Sequence, residues 1–187
     1  RHDGITVTRF EATAHRWPWT TCPDAGDQLT LLHGMRLSPR CLAVHDVADA
    51  TEQCTHQFEL AGLAVAHACR GETLRQYDVE VPFGAQSGGP HRVLLSRNGV
   101  EQLGWTLDGP ACLDPEPYAS APWRRGFSRW ADANLPVDDA EAAIVLRRCC
   151  DLSFARGADL KDFPRVSQYT ASMGICYTFQ PDVAAVS

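Results

Sequence analysis

The chain has 187 residues, a formal charge of −6, 44% hydrophobic and 21% charged residues, an ordinary balance for a soluble globular protein with a sizeable core. The acidic surplus argues against nucleic acid as a partner, because binding phosphate backbones takes a surplus of Lys and Arg. No apolar run reaches the ~20 residues that span a bilayer, and Lys161 is the single lysine, which excludes Schiff-base chemistry everywhere else.

Asp3-Gly4 is a tight-turn pair, and the alternating, β-branched stretch after it predicts a strand over 5–14. A turn with no strand before it suggests that the first arm of a hairpin lies outside the chain. The chain begins at Arg1 rather than Met and shows no signal-peptide pattern. Pro18 and Pro23 exclude a regular ladder through the next segment, which places Cys22 in a loop. Asp24 to Leu32 reads as a short helix with Leu29 and Leu32 buried and Gly34 as its stop. Residues 40–53 are ambiguous.

The clearest helix spans 55–69. His56, Leu60, Leu63 and His67 share one face, while Phe58, Ala61, Val65 and Cys69 form a second apolar stripe, so the helix is expected to be mostly buried. Arg70 and Gly71 suit its C-terminus. Strands follow at 76–83, 92–97 and 100–107, the last two flanking Asn98-Gly99, the strongest hairpin signal in the chain. Proline-rich 110–122 reads as an extended connection. Trp123, Phe127 and Trp130 predict a helix over 122–133, and Asp138 with Glu141 predicts a capping box opening a helix over 138–150. Gly174 to Phe179 reads as a last strand. The whole is expected to be one α+β domain over 1–187, an antiparallel sheet packed against about three helices, with a sub-boundary near 84–90.

The chemistry-bearing residues gather at the start of the 55–69 helix. Cys54 stands at its N-terminus, where the dipole and unpaired N–H groups favour a thiolate or a bound carboxylate. His56 supplies a nearby imidazole as acid or base, provided that Cys54 precedes the first turn. His67, about 16 Å further along the axis, is a second acid–base group on the same face, too far away to act on the same bond. These three are the candidate catalytic residues, with Cys54 as nucleophile or anion holder. The enzyme they suggest is a cofactor-free hydrolase or lyase acting on a small aromatic or acyl organic acid.

The alternative is a non-catalytic ligand- or zinc-binding protein. In it Cys22, Cys54 and His56 bind Zn²⁺ with one more ligand from His15, His33, His45 or Cys176. The eight cysteines include no CxxC pair and predict a reducing, cytoplasmic protein, with a secreted protein carrying some bridges as the alternative. Asp78 and Glu80 share one strand face and read as a solvated surface. The five tryptophans read as core or as an aromatic pocket. Nucleotide loops, zincin helices and the α/β-hydrolase elbow are missing. A small-molecule substrate is the partner expected, without nucleic acid or membrane, and a homo-oligomer is compatible with these features.

Five blocks in order carry a resemblance: Trp17-Pro18-Trp19-Thr20-Thr21-Cys22-Pro23; Leu32-x-Gly34; Cys54-Thr55-His56-x-Phe58-x-Leu60-Ala61; Tyr77-Asp78-Val79-Glu80-Val81-Pro82; and Ala140-Glu141-Ala142-Ala143-x-Val145-Leu146-Arg147-Arg148. Together they resemble the bacterial family catalogued as domain of unknown function 2889, over most of the chain. Members typically carry leucine where this chain has Gln57. The resemblance implies a bacterial cytoplasmic protein and assigns no activity.

Overall fold

The structure is a computed structural model that describes residues 1–83, 88–123, 125–154, 156, 165–169 and 172–187. The chain is α+β and divides into two compact units, Arg1–Gly71 with Asp159–Ser187, and Glu72–Ala158. Among the described residues no helix is long and apolar enough to cross a membrane.

The first unit is organised around α1 (Thr55–Arg70). Its buried side is Phe58, Ala61, Gly62, Val65 and Ala66, packed with Val7, Leu29, Leu32, Met35, Ala43 and Val44 into one core. Gly62 is required there, because a Cβ would run into the Cys41 carbonyl oxygen of the 3-10 segment Cys41–Asp46. Gly71, left-handed at φ 69°, ends the helix as expected. The expectation of a mostly buried helix fails on the other side: His56 is exposed, Leu60 is 64% exposed, and Leu63 and His67 are half-buried. One stripe is core and the other faces solvent.

Two expected strands of this unit are absent. Residues 5–14 make only short main-chain contacts, with bridges His2 to Val7 and Thr6 to Arg36. Val7 is buried, but Ile5 is exposed, so alternation here reflects one anchored residue and not a sheet face. Gly174 to Phe179 closes on itself instead: the Gly174 N–H donates to the Phe179 carbonyl at 2.8 Å, and Tyr177–Phe179 is a 3-10 turn. Pro23–Leu32 is helical, as a 3-10 helix with Ala25, Leu29 and Leu32 buried. The short α4 (Pro181–Val186) follows near the end.

The second unit holds an antiparallel sheet in the order β1 (Tyr77–Glu80), β2 (His91–Arg97), β3 (Val100–Asp108), β4 (Ala111–Asp114). Asn98 (φ 51°) and Gly99 (φ 79°) both adopt positive φ, the turn that matches strand twist, and set Arg97 opposite Val100. The fourth strand replaces part of the expected connection at 110–122. Gly109 at φ 54° turns the chain tightly enough for Ala111 to pair with Asp108, and Pro110 falls in the turn, where its missing N–H costs nothing. Asp78 and Glu80 are exposed, as their alternation requires.

Helix α2 (Phe127–Asn134) packs on α3 (Val137–Phe154), and α3 lies against the sheet. The expected helix start at 122 is corrected to Phe127, since Gly126 at φ 93° cannot lie inside a helix. Trp123 still reaches the core: its ring lies 5.3 Å from that of fully buried Trp105, with Tyr118 at 5.0 Å and Phe127 at 5.8 Å from the same ring.

The capping box expected at Asp138 and Glu141 is also corrected. Helix α3 starts one residue earlier, with the Ala140 N–H bonded to the Pro136 carbonyl. The two carboxylates are turned to Arg75, whose Nη1 lies 3.0 Å from Asp138 and 3.2 Å from Glu141, while Glu72 binds its other nitrogens at 2.6 and 2.8 Å. Tyr77 donates to Glu141 at 2.7 Å. Burial, then the bond to Glu141, pushes the Tyr77 hydroxyl up to about 12. Its proton is therefore held more tightly folded than unfolded. That contribution is complete below about pH 10 and is lost as pH rises through 12.

Arg75 and Glu141 are 7% and 2% exposed, so removing one leaves a buried charge uncompensated. Glu141→Ala is expected to destabilise this unit by about 3–5 kcal/mol, measured by urea unfolding. Tyr77→Phe is expected to reduce the loss of stability between pH 10 and 12, leaving the share that Tyr118, Cys112 and Cys150 contribute.

Candidate functional site

Cys54 is the N-cap of α1, extended at φ −70° and ψ 116°, so it does precede the first turn. Its carbonyl accepts the first helical bond, from Phe58 N–H at 2.8 Å. The N–H groups of Thr55, His56 and Gln57 therefore lack acceptors within the helix. The half-buried Cys54 thiol does not cap them. His56 occupies the first turn on the exposed side, and His67 the last turn, where its carbonyl accepts from the Gly71 N–H. The structure keeps the two imidazoles at opposite ends of the helix.

Cys54 is brought close to two other thiols. Tyr177 N–H donates to the Gln53 carbonyl at 3.0 Å, and Gln180 Nε2 donates to the Thr51 carbonyl at 2.7 Å. These bonds lay the 176–180 segment along the residues that lead into α1. Cys176, the N-cap of Tyr177–Phe179, thus comes beside Cys54. The Thr178 hydroxyl donates to Cys22 Sγ at 3.4 Å and lies 3.4 Å from the Thr21 hydroxyl. Cys22 is the N-cap of Pro23–Leu32. Three half-buried cysteines, each preceding a helical turn, therefore meet in one region of the first unit.

Electrostatics ties them together. Burial pushes the Cys176 thiol above its ordinary value, the Phe179 and Thr178 backbone groups pull it down, and Cys54 and then Cys22 raise it again. Beside this group Gln53 is fully buried, and neither amide atom has a hydrogen-bond partner among the described residues. Aromatic rings flank the same segment, with Trp19 and Tyr169 lying 6.4 and 6.1 Å from Phe179.

The other predicted ligands lie elsewhere or in other company. His33 Nε2 accepts the Phe10 N–H at 3.0 Å, His45 packs edge-on against Phe58 at 4.9 Å, and His15 is exposed. Among the described residues no group of three His, Cys, Asp or Glu is placed to hold a metal ion. None of the eight cysteines is in a disulfide. The tryptophans divide: Trp105, Trp123 and Trp130 join the core of the second unit, Trp19 meets Phe179, and Trp17 is largely exposed.

The signal for Cys176 was present in the sequence only as one of four optional ligands. Gln53 and Thr178 carried none, because their roles depend on a main-chain contact between segments more than a hundred residues apart. The second unit has a cleft of about 450 Å³ lined by Glu72, Arg75, Arg97, Asn98 and Asp138. There Arg75 and Arg97 are paired with carboxylates, which makes it a structural ion-pair network. No family model, curated protein or solved structure matches this chain.

Exposure and acidity together order the thiols. Burial pushes Cys112 up to about 11 and Cys150 up to about 12, whereas Cys69 is exposed and Cys54 half-exposed. Limited alkylation of native protein with iodoacetamide at pH 8 is expected to mark Cys69 and Cys54 while sparing Cys150 and Cys112. Peptide mass mapping reads the order, and early labelling of Cys150 would contradict the packing described for α3.

Proposed function

We propose that this chain is a cofactor-free small-molecule enzyme, a hydrolase or lyase acting on an acyl or aromatic organic acid, with Cys54 as nucleophile. The observation that carries the reading is the position of Cys54. It is an extended N-cap with a partly accessible thiol that does not satisfy the N–H groups of its own helix. Those groups and the helix dipole favour negative charge at that point. The buried amide of Gln53 next to it, without a partner among the described residues, offers an Nε2 donor from which a substrate carbonyl or carboxylate accepts.

As a hydrolase, Cys54 gives its thiol proton to His56 as its sulfur bonds to the acyl carbon, and the carbonyl oxygen takes up charge beside the N-terminus of α1. The bond to the leaving group breaks as His56 gives that group a proton. Water, losing a proton to His56, then releases the acid and restores the thiol. His67 takes no part at this bond, being about 16 Å along the axis.

The gathering of Cys22, Cys54 and Cys176 also supports the zinc-binding alternative, with Cys22, Cys54 and His56 as ligands, but no preformed ligand set among the described residues does. The resemblance to the bacterial domain of unknown function 2889, a cytoplasmic location and a homo-oligomeric state belong to the same proposal. They rest on the sequence blocks and composition alone.

A panel of aryl and acyl esters and thioesters tests the reading. Cys54→Ala is expected to abolish the turnover shown by wild type, and His56→Ala to lower kcat about 100- to 10,000-fold. Wild-type turnover that survives Cys54→Ala unchanged, or about one equivalent of zinc lost with Cys22→Ser, would replace it.

A further inference from the structure

We propose that Cys54 and Cys176 form a reversible disulfide when the protein meets a peroxide, Cys54 being the thiol oxidised and Cys176 the thiol that closes the bond. The pairing follows from the main chain. The Tyr177 N–H bonds to the Gln53 carbonyl at 3.0 Å, and Gln180 to the Thr51 carbonyl fixes the same two segments a second time. Each cysteine is thus the immediate neighbour of a residue in that contact. The two cysteines are therefore neighbours across this contact, and the bond requires their Cα atoms to come within about 4.4–6.8 Å.

Cys22 is the competing partner, and two facts set it second. Its sulfur already accepts the Thr178 hydroxyl, and its influence on Cys176 is smaller than that of Cys54. Cys176 is the better thiol to close the bond than to open the reaction. It is half-buried and holds its proton above the ordinary range, mainly because of that burial. Cys54 stands half-exposed at the end of a 16-residue helix, open to a small oxidant.

The atoms balance with a hydroperoxide as oxidant. The Cys54 thiolate attacks the outer oxygen, the O–O bond breaks, and the departing oxygen leaves as water or an alcohol after taking a proton. Cys54 is then a sulfenic acid. The Cys176 sulfur attacks the Cys54 sulfur, the S–O bond breaks, and hydroxide leaves with the Cys176 proton as water. The two thiols have lost two electrons and the peroxide has gained them. A small dithiol reverses the bond by exchange. This inference does not rest on the hydrolase or lyase reading, since the bond forms without substrate and is read as a covalent link.

The test uses the whole chain, treated with hydrogen peroxide, blocked with N-ethylmaleimide and digested with trypsin under non-reducing conditions. Cleavage at arginine places Cys22 in residues 17–36, Cys54 in 41–70 together with Cys41 and Cys69, and Cys176 in 166–187, so the mass identifies the linked peptides and fragmentation identifies the cysteine within 41–70. The expected product links 41–70 to 166–187, disappears with dithiothreitol, and persists in Cys22→Ser. It is expected to be lost in Cys54→Ser. In Cys176→Ser a dimedone-reactive sulfenic acid is expected to remain on Cys54. Wild-type protein that keeps all three thiols open to alkylation overturns the proposal, as does a dominant link to 17–36 or one that survives in Cys54→Ser.

Discussion

The arrangement of the first unit depends on one crossing, where the Tyr177 N–H meets the Gln53 carbonyl just before α1 begins. Closing so long a loop costs entropy that grows only slowly with length, and the contact is repaid by several bonds at once. Gln180 reaches Thr51, Thr178 reaches Cys22, and Thr21 reaches both Thr178 and Ser187. Without that crossing Cys54 would be an isolated N-cap. With it, the half-buried Cys176 and Cys22 and the buried amide of Gln53 come to the region of that helix end.

The second unit is held together by a different device. Arg75 is a buried cation answered by Glu72, Asp138 and Glu141, and its own proton is bound more tightly than usual, chiefly through Glu72. The network ties the segment before β1 to the first turn of α3. A buried ion pair adds little beyond what an apolar replacement would give, but breaking one side is costly. Its value is in fixing which face of α3 meets the sheet, so that Ala142, Ala143 and Leu146 are buried while Asp138 and Glu141 find their cation.

Much of this architecture was legible where the signal is local. Asn98-Gly99 specifies a two-residue turn by backbone conformation alone, and the flanking strands follow with Val93 opposite Trp105 and with Leu95 and Leu107 also buried. Helix α1 was legible from spacing and from Gly71. The stripe Phe58, Ala61 and Val65 is the true core side, but Cys69 is exposed, and the second stripe was expected to be buried as well because His56, Leu60, Leu63 and His67 satisfy the same periodicity. Residues 5–14 misled because alternation cannot tell a strand with a partner from one anchored at Val7. At the site, Cys54, Cys22 and His56 could be picked out by residue type and position. Cys176, Gln53 and Thr178 matter only through the crossing at Gln53, which has no local sequence signature. The expected sub-boundary at 84–90 falls largely on 84–87, outside the described residues.

The central claim is that the Cys54 sulfur forms the covalent bond to substrate. Intact-protein mass spectrometry during the first turnovers of a slowly released aromatic acyl ester tests it most directly. The account predicts an acyl adduct that maps to Cys54 and decays as free acid appears. Product formed with no adduct on Cys54, or with the acyl group carried by Cys69 instead, would contradict it.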